Sequence, residues 1–326
     1  MALAKNTTIQ QIAAKAGVST ATASRVINRP DTVKSDTRER VLQAMKELNY
    51  QAKQDNGRLL LAAFPNFTNP FYGLCIQGMQ EAAWKRGYQI LLQQIDNPKN
   101  PDSYRFLMDH SFFHGVIFTH PLPEISLLDS ILARHPIVMC SQYHESDDLP
   151  CVIIEDYAAA KSAVSYLLSI GKKRIAMLNT QLDYSFSQYR EQGYLDALQE
   201  AGLPILPHLI VHASEVDYNL AFSMALTLLD GEERPDSVFC SSDVLASAVI
   251  KAAGQLNLSV PGDVAVMGFD NVDLCNMTVP TISTVSQPMY QLGWQSCNLL
   301  IDQLEDIPLV SKRIVLPTDI VVRKST

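Results

Sequence analysis

The chain has 326 residues, a formal net charge of -8 and 47% hydrophobic side chains, which suits about two domains with real cores and excludes a disordered chain. No apolar run reaches the roughly 18 residues a membrane span needs, and the opening MALAKNTTIQQIAAKAG is too polar for a signal peptide, so the expected compartment is the cytoplasm. Cys75, Cys140, Cys151, Cys240, Cys275 and Cys297 lie far apart with no C-x-x-C pair, and are expected to be reduced core residues.

The charge is unevenly distributed. From Met1 to Arg58 there are ten Lys or Arg against five Asp or Glu, whereas the remainder carries 16 basic and 29 acidic residues. A small basic head on a large acidic body favours contact with phosphates at one end only.

In the head, Thr8 to Gln11 fits a capping box that opens a first helix over Ile9 to Lys15. Gly17 supplies the backbone that ends it, Ser19 caps a second helix over Thr20 to Ile27, and Ile12, Ala13, Val18, Val26 and Ile27 provide the contacts between them. A third amphipathic helix over Asp36 to Leu48, capped by Ser35, is expected to bury Val41, Leu42, Met45 and Leu48, with Asn49 as its left-handed stop. This is a helix-turn-helix pattern, in which the N-terminal part of the second helix meets base edges in the major groove. That assigns base contact to Thr20, Ala21 and Arg25, with Arg25 able to donate a bidentate pair to guanine. Thr22, Ser24 and Asn28 suit phosphate contact or helix packing.

The order Thr8-Ile9-x-x-Ile12-Ala13-x-x-Ala16-Gly17-Val18-Ser19-x-x-Thr22-x-Ser24-Arg25-Val26-Ile27-Asn28 resembles the headpiece signature of the lactose/galactose repressor (LacI/GalR) family of transcriptional regulators. Ala23 stands where that family usually has the larger Val, which implies looser packing of the second helix. The resemblance also implies a longer connection to the body, with a short hinge helix and a wedging leucine. Here only the seven residues Gln51 to Gly57 precede Arg58, a tether of at most about 25 Å, and flexible heads are expected.

From Arg58 onward, short apolar strands alternate with helical stretches. Leu59 to Phe64, Gln89 to Gln93, Val116 to Phe118 and Ile137 to Met139 read as strands of one α/β set, and Cys151 to Ile154 as a strand leading to Glu155 and Asp156. Arg174 to Leu178, Leu209 to Val211, Ser237 to Cys240, Val264 to Met267 and Ile282 to Val285 read as a second. Parallel sheets in two lobes follow, with a cleft between the carboxyl ends of their strands. The fold expected is α/β: a three-helix head and a two-lobed body like a periplasmic binding protein.

The resemblance continues through the body in Asn69-Pro70-Phe71-Tyr72, Tyr189-Arg190-x-x-Gly193-Tyr194, Ser242-Asp243, Gly268-Phe269-Asp270-Asn271 and Thr284-Val285-Ser286-Gln287-Pro288. It implies three crossings between lobes and the following division: residues 1–50 the DNA-binding domain, 51–57 a linker, and 58–326 an effector-binding and dimerisation domain. Lobe 1 would take about 58–155 and 288–315, and lobe 2 about 156–287 and 316–326.

The cleft residues implied are Phe71, Tyr72, Arg190, Ser242, Asp270 and Gln287. Asp270 can accept from a vicinal diol, Arg190 can donate to ligand oxygens, Gln287 can do either, and the two aromatic rings can stack on a sugar or base. Ser242 replaces an Asn common in the family, which leaves one ligand bond open. Arg190 and Asp270 could instead form a lobe-closing ion pair, Tyr72 could be simple packing, and Glu155 and Asp156 suit either the cleft or a solvated helix start.

Partners expected are double-stranded operator DNA, a small hydroxylated effector (a ribonucleoside, with an ordinary sugar next) and a second copy of the chain. The helices Asn69 to Gly87 and Tyr290 to Leu304, with Met79, Trp84, Leu292, Trp294 and Leu299, could supply the dimer face, but a helix core looks the same in sequence. No catalytic motif, cofactor or metal site is expected. The pairs His110/His114 and His208/His212 lack a third ligand, and the sequons at Asn6, Asn66 and Asn276 carry no weight in a cytoplasmic chain. A two-lobed solute-binding protein without a DNA role is the competing reading, and the basic head argues against it.

Overall fold

The computed structural model describes residues 8–28, 33–48, 58–110, 112–121, 125–143, 148–231 and 233–326. The stop expected at Asn49 and the tether Gln51 to Gly57 lie outside the described residues. The chain divides into two compact units, Met1–Arg58 and Leu59–Thr326.

The first unit holds α1 (Ile9–Ala16), α2 (Thr20–Asn28) and α3 (Ser35–Glu47). The capping box at its start is complete: Thr8 accepts from the Gln11 N–H and the Gln11 side chain accepts from the Thr8 N–H at 2.8 Å. Gly17 ends α1 with φ 66°, a left-handed value that costs glycine least, and Val18 N–H closes back onto Ala13. Ser19 Oγ accepts from the Thr22 N–H at 3.1 Å and opens α2.

Two expectations for α3 are corrected. Ser35 is already its first helical residue, with its hydroxyl turned to Asp36, and Lys34 occupies the cap without a side-chain bond. Leu42 is 49% exposed. The inward stripe runs through Val41, Ala44, Met45 and Leu48, spaced i, i+3, i+4 and i+7, and Leu42 lies about 100° around the helix from Val41. Ala23 is fully buried among Ile12, Val26 and Val41, so the smaller side chain still closes this core.

The second unit is built on two six-stranded sheets. The first has the order β11-β5-β4-β3-β1-β2, from β1 (Leu59–Phe64), β2 (Gln89–Gln94), β3 (Val116–Phe118), β4 (Ile137–Cys140), β5 (Cys151–Ile154) and β11 (Arg313–Leu316). The second has the order β12-β10-β9-β8-β6-β7, from β6 (Ile175–Thr180), β7 (Ile210–Ala213), β8 (Ser237–Cys240), β9 (Ala265–Asp270), β10 (Ser283–Ser286) and β12 (Asp319–Val321). All pairings are parallel except β10 with β12, which is antiparallel. Thus Leu59–Ile154 and Arg313–Leu316 supply one sheet, and Ile175–Ser286 and Asp319–Val321 the other. Their central strands are wholly buried, as parallel strands covered by helices on both faces must be. All six cysteines are buried free thiols.

Helix α4 (Phe71–Lys85) and helix α12 (Met289–Leu304) pack side by side over the first sheet. Two glycines permit their close approach: a Cβ on Gly293 would meet the Cys75 carbonyl oxygen at 1.9 Å, and one on Gly78 the Tyr290 carbonyl oxygen at 2.1 Å. Of the five residues named for a dimer face, three belong to the core instead. Met79, Leu292 and Leu299 are buried in the chain's own core because the two helices face each other, Trp294 is only half-buried, and Trp84 is 78% exposed.

Because the obstructing atoms at Gly293 are backbone, Gly293→Ala should destabilise the second unit by at least about 1–3 kcal/mol in urea unfolding. Gly73→Ala, in the same helix pair but with nothing within 4 Å of the added carbon, should be neutral or stabilising by roughly 0.5–1 kcal/mol.

Candidate functional site

Two surfaces carry chemistry, one on each unit. On the first, Thr20, Ala21 and Arg25 all sit exposed on α2. Their spacing of one and four residues from Ala21 places them on one side of the helix, and the buried Ala23 and Val26 hold the other side against α1 and α3. Thr22 is half-buried and its hydroxyl meets that of Ser19 at 2.8 Å, so it braces the helix start. Ser24 is half-buried. The Asn28 side chain lies outside the described residues. An exposed helix start with threonine, alanine and arginine can offer base edges a methyl, a hydroxyl and a bidentate donor.

On the second unit, a cavity of about 700 Å³ opens between the two sheets, and Phe71, Tyr72, Arg190, Ser242, Asp270 and Gln287 all line it. Its volume is in the range of small-molecule sites. The sheets explain why these residues converge. Thr119 follows β3, Ser141 and Gln142 follow β4, Ser214 follows β7, Ser241 and Ser242 follow β8, Asp270 ends β9 and Gln287 follows β10. Each polar group stands at the carboxyl end of a parallel strand, where α/β sheets place their ligands.

Arg190 is on α8 (Ser185–Glu200), which packs against α7 (Asp156–Ser169) so closely that a Cβ on Gly193 would meet the Tyr157 carbonyl oxygen at 2.4 Å. That approach brings the guanidinium to Asp156, with Nε and Nη2 both 2.8 Å from Oδ1. Nη1 donates to the Ser241 carbonyl at 2.6 Å, and the guanidinium lies over the Phe269 ring at 3.6 Å. The ion pair is therefore Arg190 with Asp156, both on the second lobe, in place of a lobe-closing pair with Asp270. Asp156 is buried, and burial holds its carboxyl above the usual range against the pull of Arg190. Glu155 is exposed beside Arg313 at 3.4 Å.

Asp270 is 4% exposed and accepts from Gln287 Nε2 at 2.6 Å. Its backbone has φ 118° and Asn271 follows at φ 64°, a non-glycine pair in the strained region. Such a conformation costs about 1–3 kcal/mol per residue and persists where the surroundings over-determine it. Here the β9–β10 register and the Arg323 bond to Asn271 at 2.8 Å do so. Burial pushes the Asp270 carboxyl well up, with Arg190 opposing and Asp243 reinforcing.

Ser242 uses its hydroxyl to accept from Leu245 N–H at 3.3 Å, capping α10 (Asp243–Gln255). Its neighbour Ser241, absent from the sequence-based set, is buried with its Oγ lacking a hydrogen-bond partner, and Gln287 Oε1 is in the same state. Both residues line the cavity. Phe71 and Tyr72 are 7% exposed; they pack edge-on to each other at 5.4 Å while also lining the cavity, so core and site roles coincide.

Gln142, Tyr184, Phe186 and Lys99 also line the cavity and were not singled out from sequence. Gln142 Oε1 crosses between lobes to accept from the Ser185 hydroxyl at 2.8 Å, and Lys99 crosses to Asp183 at 2.7 Å. The position directly after each strand was the available signal for the polar members; nothing local marks Tyr184 or Phe186. Of the histidine pairs, His212 meets Glu191 at 2.5 Å, and among the described residues no group of three or more His, Cys, Asp or Glu could hold a metal. No described helix is long and apolar enough to cross a membrane.

A helix-turn-helix unit with an exposed reading face, joined in one chain to a two-lobed body with an interlobe cavity, defines a DNA-binding transcriptional regulator. Residues 8–53 match the family of bacterial regulatory proteins of the lacI type, and residues 164–326 match a periplasmic binding protein-like domain. The chain is 30% identical to the HTH-type transcriptional repressor CytR of Escherichia coli strain K12, over 98% of this chain and 96% of that one. It is 32% identical to the ribose operon repressor of Halalkalibacterium halodurans, over 98% and 97% respectively. The solved complex of the transcriptional regulator CelR with cellobiose superposes with a TM-score of 0.74 at 28% identity, covering 98% of this chain and all of that one. The chain belongs to the LacI family.

Asp243 offers a test of the electrostatics behind the cavity wall. It accepts from the Thr284 hydroxyl at 2.6 Å and the Val272 N–H at 2.9 Å, yet burial pushes its carboxyl up to about 6. An acid raised in the folded state binds more protons folded than unfolded, so its contribution to stability falls as pH rises from about 4 to 6. Relative to Asp243→Asn, the wild type should lose on the order of 2–3 kcal/mol between pH 4 and 7 in denaturant titrations; a pH-independent difference would contradict this assignment.

Proposed function

We propose that the chain is a cytoplasmic, homodimeric repressor whose operator affinity is set by a small hydroxylated ligand in the interlobe cavity. In this reading residues 1–50 read DNA, with Thr20, Ala21 and Arg25 on base edges, while Thr22, Ser24 and Asn28 serve phosphate contact or helix packing, Thr22 through its bond to Ser19 serving packing. Residues 58–326 bind the effector and dimerise, with no catalytic step.

The observation that carries the effector reading is the cavity of about 700 Å³ between the two sheets, into which the carboxyl ends of parallel strands bring Ser241, Ser242, Asp270 and Gln287 beside Phe71 and Tyr72. A concave site lined by apolar rings and a few convergent polar groups is what a small hydroxylated ligand needs. Asp270 among these groups accepts hydroxyl donors, and Phe71 and Tyr72 offer apolar ring edges. The solved relative named for its cellobiose complex supports a hydroxylated occupant, and the repressor relatives support DNA release or capture as the output. A dimer is supported by the small surface of one head, since two heads on a two-fold operator give the selectivity one lacks.

The ligand must bind one lobe arrangement more tightly than the other for the cavity to be coupled to DNA. The test is a thermal-shift screen of nucleosides, pentoses and hexoses followed by operator binding with each hit. A hit that changes operator affinity by fivefold or more, roughly 1 kcal/mol of coupling, is the expected outcome; hits without any effect on operator binding would refute the coupling. At the head, Arg25→Ala should weaken specific operator binding by about 1–3 kcal/mol while changing random-sequence binding far less. Equal losses on both DNAs would reassign Arg25 to phosphate contact.

A further inference from the structure

Helix α8 presents two neighbouring stripes to different surroundings. Phe186 and Arg190, one helical turn apart, line the cavity, with the guanidinium over the Phe186 ring at 4.7 Å. Ser185 and Tyr189, each one position earlier and so about 100° around the helix, lie outside the cavity wall and meet the first lobe instead. Ser185 Oγ donates to Gln142 Oε1 at 2.8 Å and accepts from Tyr143 N–H at 3.3 Å. The Tyr189 ring stacks on the Tyr143 ring, with centroids 5.2 Å apart and planes 3° from parallel. Both tyrosines are half-buried.

A third group ties this stack to the crossings between lobes. The Arg313 guanidinium, from β11, lies over the Tyr143 ring at 4.5 Å, and its Nη2 is 3.4 Å from Glu155. Glu155 stands where the chain leaves β5 of the first sheet for α7, and Arg313 stands just before Pro317, where the chain leaves β11 for β12 of the second sheet. The ring stack is thus anchored at two of the segments about which the lobes must turn. By comparison Lys99 and Asp183, which also cross between lobes, have side chains 75% and 44% exposed, and a pair so wet holds little.

We propose that the Tyr143–Tyr189 stack is a clasp between the lobes, and that Tyr189 is a positioning residue that sets operator affinity without touching the ligand. This rests on the reading above, in which the cavity controls DNA binding. A ligand held by Phe71 and Tyr72 from one lobe and by Arg190 and Asp270 from the other favours the arrangement in which both lobes face it, and the stack favours that same arrangement. Ligand and clasp push one equilibrium the same way. Loss of the clasp must therefore move ligand-free operator affinity in the direction opposite to the ligand's own effect, whether the ligand releases DNA or recruits it.

The test measures operator binding by the full chain, without ligand and with each hit of the screen above, for Tyr189→Ala, Tyr143→Ala, the double variant and Tyr189→Phe. Urea unfolding checks that each is folded, and Tyr189→Leu, which keeps bulk without a ring, replaces Tyr189→Ala if that variant is not. A stacked ring pair is worth about 3- to 10-fold, so each alanine variant should shift ligand-free operator affinity by about that factor and weaken the hit's binding by up to as much. The double variant should shift it no further than the larger single change, because both substitutions remove one contact. Tyr189→Phe keeps the ring and should stay within about twofold of wild type. Unchanged ligand-free operator affinity in folded Tyr189→Ala overturns the clasp, as does a shift in the ligand's own direction or an additive shift in the double variant. If no compound alters wild-type operator binding, the effector reading fails, and the ligand-free comparison still decides the clasp.

Discussion

Arg190 is buried to 3% exposure, and a guanidinium cannot shed its charge to suit an apolar setting. The second lobe is arranged around that requirement. Asp156 meets it from the first turn of α7, the Ser241 carbonyl from the end of β8, and the Phe269 ring from β9 lies beneath it. Satisfying one cation thus brings together a helix start and two strand ends, and the cavity wall is the place where they meet. Gly193 is what lets the two helices close far enough for the pair to form. The same cation, once matched by Asp156, no longer stands as a lone charge at the cavity wall.

Much of the architecture was legible because its signals are local and periodic. The strands Leu59–Phe64, Val116–Phe118 and Ser237–Cys240 coincide with the apolar runs read from sequence, since parallel strands covered on both faces are nearly continuous in apolar residues. The capping box at Thr8 and the left-handed Gly17 are equally local. Errors fell where the answer depends on what lies opposite. Ser35 looks like a cap, yet Lys34 precedes the helix; Leu42 looks like core, yet the helix turns it outward. Met79 and Leu292 suit an interface or a core equally from sequence, and they meet each other's helix across Gly78 and Gly293.

The site followed the same pattern. Arg190, Asp270 and Gln287 were named from motifs and do share one cavity. Which carboxylate would answer Arg190 could not be read from sequence, because Asp156 and Asp270 lie in different segments and only the packing of α7 on α8 decides between them. Ser241 was passed over for Ser242, although the adjacent residue is the one whose hydroxyl is left without a partner while Ser242 serves as a helix cap. Two serines side by side after a strand have opposite fates, and only the direction of the first helical turn separates them.

The first sheet is completed by segments from opposite parts of the chain. Arg86 at the end of α4 bonds Asp302 in α12 across 216 residues of sequence, and β11 joins the edge of the sheet beside β5. The second sheet, apart from the short β12, is made from one continuous stretch between Ile175 and Ser286. Long loop closure slows assembly, whereas a contiguous α/β stretch can form its contacts as it emerges from the ribosome. The lobe begun first must therefore wait for α12 and β11 from the far end of the chain, and until α12 arrives the apolar face of α4 that includes Cys75 and Met79 stands open to whatever the cell uses to guard unfinished chains.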